Sequence, residues 1–135
     1  MALQYSVTVR NAQLDAVETA VGTAPLLRIY SGSAPANCAA DASGTLLAEA
    51  TLPSDWMAAA SSGSKALSGT WQDASANATG TAGHWRLYDS GGTTCHAQGT
   101  VTATGGGGDM TLDNTSIASA QSVTITSFTI TAGNA

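Results

Sequence analysis

From Leu26 onward, apolar side chains recur at every second position, and the runs are broken by small polar residues. Leu27 and Ile29 alternate with Leu26, Arg28 and Tyr30. Leu46, Ala48, Ala50 and Leu52 alternate with Leu47, Glu49 and Thr51. Successive side chains of a strand point to opposite faces, so a period of two marks strands with one buried face. Turn signals return about every ten residues, the spacing of an all-β sandwich or barrel. The expected fold is mainly β: an antiparallel β-sandwich or jelly-roll-like domain with one N-terminal helix.

The helix is the exception to the alternation. Ser6 suits an N-cap and Gly22 a C-terminal stop. Val7, Leu14, Val17 and Val21 share one stripe, with Arg10 among them. This divides the chain into residues 1–22, an N-terminal segment and helix, and residues 23–135, a single antiparallel β domain. The stripe is narrow. Arg10, Leu14, Val17 and Val21 are therefore candidates for a subunit interface, Arg10 either snorkelling along the stripe or facing an acidic partner.

Composition supports a thin core. Only 21 of the 135 residues are Leu, Ile, Val or Phe, whereas Ala, Gly, Ser and Thr together number 75. Assembly could then supply burial that one copy lacks. In so lean a chain, Trp56, Trp71 and Trp85 are read first as core bulk and second as a sugar-stacking platform.

Several element-level expectations follow. Pro53–Met57 starts a short helical turn, and Leu67–Gln72 is a strand. A three-residue Ser90-Gly91-Gly92 loop would pair Leu87 with Cys95 and Trp85 with Ala97. Trp85, Leu87, Cys95, Ala97 and Val101 would then share the buried face, with Arg86 and His96 outward. Gly105–Gly108 is read as a second hairpin tip. Along the last strand Val123 and Ile125 are odd while Phe128 and Ile130 are even, so a one-residue bulge near Ser127 is expected.

Chemistry-bearing motifs are scarce. The Gly105–Gly108 run lacks the Lys-Ser/Thr and following helix of a phosphate loop. Cys95 and His96 are adjacent on a strand and should face apart, which disfavours a shared metal or a Cys–His nucleophile. Most acidic residues sit in turn contexts, and Glu49 has no evident partner. No catalytic, cofactor-binding or metal site is expected, so the chain reads as a non-enzyme. Cys38 and Cys95 could pair as a disulfide or stay free, and the residues leave both open. Four scattered cations against nine acids, a net charge of −5, disfavour nucleic-acid binding. No apolar run approaches a membrane span, and the start shows no signal-peptide pattern.

Several segments resemble a family of small virion structural proteins of tailed bacteriophages, the head decoration or cement proteins. They are Arg10–Ala12, Leu14–Glu18, Leu52–Trp56, Gly80–Tyr88, Gln98–Thr102, Gly106–Leu112 and Val123–Thr129. The resemblance implies a β-rich domain bound outside the major capsid protein shell, stabilising the head as a symmetric oligomer. A homotrimer is expected first and a dimer next. The implied location is the capsid surface of the virion, after assembly in the host cytoplasm. Other readings are a carbohydrate-binding β-sandwich of a head fibre and a tail or head-completion protein.

Overall fold

A computed structural model describes residues 2–134. It is mainly β with a single helix, as the alternation predicts, but the sheet is mixed and curls into a half-barrel. Helix α1, Val7–Val21, begins where the Ser6 hydroxyl accepts from the Val9 amide at 3.2 Å. It ends at Gly22, whose φ of +91° suits a residue without Cβ.

Nine strands follow among the described residues: β1 Leu26–Ser31, β2 Leu46–Thr51, β3 Ser64–Ala66, β4 Gln72–Asp73, β5 Gly80–Tyr88, β6 Cys95–Ala103, β7 Met110–Leu112, β8 Ser116–Ile117 and β9 Val123–Thr131. The sheet order is β2-β1-β5-β6-β7-β9-β3, with β4 also on β9 and β8 on β5. The thin core is built around aromatic bulk. Trp56, Trp71 and Trp85 are all at most 4% exposed. Trp56 tilts against Trp71, Trp71 against Phe128, and Phe128 meets Trp85 edge to face, with centroids 5.9, 5.4 and 5.2 Å apart.

The bulge in the last strand is present. Thr111 pairs with Ser127 and the next residue, Leu112, pairs with Ile125, so β9 carries an extra residue there. Val123, Ile125 and Phe128 are consequently all buried.

Other expectations need correction. Leu67–Gln72 is not one strand: β3 ends at Ala66 and β4 starts at Gln72, with Gly69 between them at φ +73°. Pro53–Met57 is not helical, and Met57 instead forms an isolated bridge with Leu67. Gly105–Gly108 is not a hairpin tip, because β6 and β7 run parallel, Val101 beside Met110. The chain doubles back through Gly105 and Gly107, both at positive φ, and presses Gly106 and Gly108 against the Thr102 side chain. Asp109 fastens the return by accepting from the Thr100 amide at 2.9 Å and its hydroxyl at 3.1 Å.

The β5–β6 hairpin also differs. Its loop is one residue longer, because the Asp89 amide bonds the Thr94 carbonyl at 3.1 Å. The Asp89 carboxylate stabilises the extra residue by accepting from the Thr93 and Thr94 amides at 2.9 and 3.3 Å. Tyr88 therefore pairs with Cys95 and, after a register shift, Leu87 pairs with Ala97 and Trp85 with Gly99. Cys95 is thus on the Arg86 side of the sheet and not with Trp85 and Leu87. Arg86 is 1% exposed and pairs with Gln98, not His96.

Those amides hold the Asp89 carboxyl below its ordinary value of 3.8. A depressed carboxyl contributes stability that is fully present above the unfolded pKa and lost as pH falls through the folded one. Asp89→Asn should therefore be less stable than the native chain at pH 7, with the gap narrowing as the pH falls below 3.8. Urea denaturation at pH 7 and at a series of lower pH values checks this.

Candidate functional site

The interface candidates on α1 separate into two groups. Leu14 and Val21 are buried within the chain, at 4% and 5% exposure, so they are not free to meet another subunit. Arg10 is half-buried and donates from Nε to the Ala132 carbonyl at 2.9 Å, so its guanidinium is engaged within the chain. Val17 alone of the four remains exposed, and Leu3, Val7 and Val9 nearer the start of the chain are exposed as well. The inward face of α1 is fastened by ions that periodicity did not reveal. Lys65 on β3 is buried and reaches Asp15 and Glu18, each at 2.7 Å. Burial lowers the Lys65 pKa, but the bonds from Asp15 and Glu18 outweigh it and leave the pKa raised.

A second region lies on the face of the sheet away from the tryptophans. His84, Arg86 and Tyr88 alternate with Trp85 and Leu87, yet all five are buried. The segment 32–45 covers this second face, and side chains of the sheet satisfy its carbonyls. His84 Nδ1 bonds the Gly32 carbonyl at 2.9 Å, and Gln98 Nε2 donates to Pro35 at 2.7 Å. Arg86 Nη2 donates to the carbonyls of Cys38 and Ala40, both at 2.9 Å. Across the strands Glu49 meets Arg28 at 2.6 Å, and Arg28 is the register partner of Arg86. Glu49 thus has a partner that the sequence did not reveal. The Arg28 and Arg86 guanidinium groups lie 4.6 and 5.6 Å from the Tyr88 ring centre, a cation–π arrangement that disperses the paired charge.

Between this segment and the start of β6 is a cavity of about 210 Å³. Cys38, Asp41, Arg86, Tyr88, Thr93 and Cys95 line it. Both cysteines are free thiols. Arg86 Nε donates to Cys95 Sγ at 3.3 Å, and Cys95 Sγ donates to the Ala97 carbonyl at 3.4 Å. Burial pushes the Cys38 thiol up, and its hydrogen bond with Cys95 pushes it further. Burial alone would lower the Arg86 pKa, but the Cys95 hydrogen bond and the neighbouring sulfur and phenol charges more than offset it. Arg86 Nη1 has no hydrogen-bond partner, and Arg86 makes no ion pair among the described residues.

The sequence did carry a signal for this region. His84–Tyr88 has bulk at every position, the mark of a strand covered on both faces. Among the described residues no group of three or more His, Cys, Asp and Glu side chains gathers as metal ligands. No described helix is long and apolar enough to cross a membrane. Comparison of the chain with family models, curated proteins and solved structures finds no match.

Proposed function

We propose that this chain is a head decoration protein of a tailed bacteriophage, binding the outside of the major capsid protein shell and stabilising it without catalysis. It sits on the capsid surface of the virion, having assembled in the host cytoplasm, and contacts neither nucleic acid nor membrane. One observation carries the reading beyond the sequence resemblance. The exposed large apolar side chains among the described residues are Leu3, Val7, Val9 and Val17, all within the N-terminal segment and helix. Val9 and Val17 lie on the flank of α1 opposite Asp15, two turns apart. Leu3 precedes α1 and the other three lie on it, and exposed apolar residues gathered in one segment mark it as a candidate interaction surface.

Energetics favour an oligomer as the binding unit. Fully burying a Val or Leu side chain is worth about 1.5–3 kcal/mol, but association and ordering cost several kcal/mol in return. Four such side chains on one copy give weak attachment. A homotrimer at a local threefold presents three copies at once, and the second and third contacts become intramolecular. A carbohydrate-binding role gains no support from the tryptophans, since all three are in the core.

Co-sedimentation with expanded, DNA-free heads tests the proposal. The native chain should pellet with heads. Val9→Glu with Val17→Glu should weaken binding at least about tenfold, equal to about 1.4 kcal/mol. Both sites are exposed helix positions where Glu is well accepted, so the variant should fold. A native chain that stays in the supernatant, or a double variant that binds equally well, would overturn the reading.

A further inference from the structure

The Cys38–Arg86–Cys95 cavity has a chemistry that a structural role leaves unexplained. A guanidinium can be satisfied by carbonyls alone, but its charge is costly to bury without an opposite charge nearby. Arg86 is 1% exposed, is in no ion pair among the described residues, and holds Nη1 without a hydrogen-bond partner in a cavity lined by two thiols. Asp41 lines the same cavity, and Arg86 Nε donates directly to Cys95 Sγ at 3.3 Å, so the guanidinium is in contact with the sulfur. Cys38 lines the same cavity from the covering segment, so the two thiols belong to separate parts of the chain that only the fold brings together. Both are partly exposed, and the cavity gives a reagent access.

We propose that Cys38 and Cys95 form a thiol–disulfide exchange site for small-molecule disulfides such as glutathione disulfide, closing to a Cys38–Cys95 bond that fastens segment 32–45 to β6. Cys95 gives up its proton, and its thiolate attacks one sulfur of the small disulfide. A Cys95 mixed disulfide forms, the sulfur–sulfur bond of the reagent breaks, and the leaving thiolate takes up a proton. Cys38 then loses its proton and attacks Cys95 Sγ. The Cys38–Cys95 bond forms and the second small thiolate leaves, to be protonated in turn. Two protein thiols are oxidised and one small disulfide is reduced to two thiols. Arg86 holds the Cys95 sulfur throughout the first step. The inference is independent of head binding.

The test treats the reduced, folded chain with glutathione disulfide and counts free thiols, with mass spectrometry to locate the linkage. Both thiols should be lost, with the chain monomeric by covalent mass and no glutathione retained. Cys38→Ser should stall with one glutathione on Cys95. Amide hydrogen exchange across residues 32–45 should slow in the oxidised form. Thiols that persist, glutathione retained by the native chain, a bond between two chains, or an inert Cys38→Ser variant would each overturn the proposal.

Discussion

Removing residues 1–22 should unfold the β domain, not release a folded body that has merely lost a contact. Leu14 and Val21 are 4% and 5% exposed, and Val21 belongs to the main core cluster. Their burial is worth about 1.5–3 kcal/mol each. The deletion also removes the Gly22 carbonyl that accepts from Trp56 Nε1 at 2.9 Å, and the Asn11 side chain that accepts from the Gly63 amide at 2.9 Å. Small domains are stable by only about 5–15 kcal/mol, so these losses together approach the whole margin. Circular dichroism of the truncated chain should show no cooperative thermal transition. Val9→Ser and Val17→Ser, exposed on the same helix, should each change stability by less than about 0.5 kcal/mol. A truncated chain that melts like the full one would mean that α1 is an appendage.

Trp71→Ala should be among the most damaging single substitutions. Trp71 is 1% exposed and touches both Trp56 and Phe128. Its Nε1 donates to the carbonyls of Trp56 and Ser68 at 3.1 and 3.2 Å, tying together the segment that precedes it. Truncating a buried tryptophan costs about 3–5 kcal/mol, a large part of the stability of a domain this lean. Trp71→Phe keeps a ring in place but loses both hydrogen bonds, so its cost should be intermediate. Equilibrium urea unfolding ranks the three proteins. Equal midpoints would contradict the aromatic core as the main source of stability.

What could be read from the sequence was what local chemistry decides. Ser6 and Gly22 mark the ends of α1 because capping involves only neighbouring backbone groups. The shift from odd to even apolar positions between Ile125 and Phe128 exposed the bulge, since a strand keeps one inner face only by inserting a residue. What could not be read depended on contacts made at a distance. One extra loop residue, held by the Asp89 carboxylate, moved Cys95 opposite Tyr88 and reversed the expected face. The parallel approach of β7 to β6 rests on glycines folding against Thr102, which no periodicity announces. Arg86 looked outward by alternation and was outward from the tryptophans, but segment 32–45 returns to cover it. For Leu14 and Val21, periodicity identified a buried stripe and could not say whether the cover came from the same chain.

The most direct test of the decoration role is a cryo-electron microscopy reconstruction of expanded heads incubated with the purified chain, compared with bare heads. A decoration protein should add density on the outer surface at local threefold positions, into which three copies fit with the Val9–Val17 flank of α1 toward the shell. Heads that show no added density, or density that seats the chain with this flank facing solvent, would contradict it.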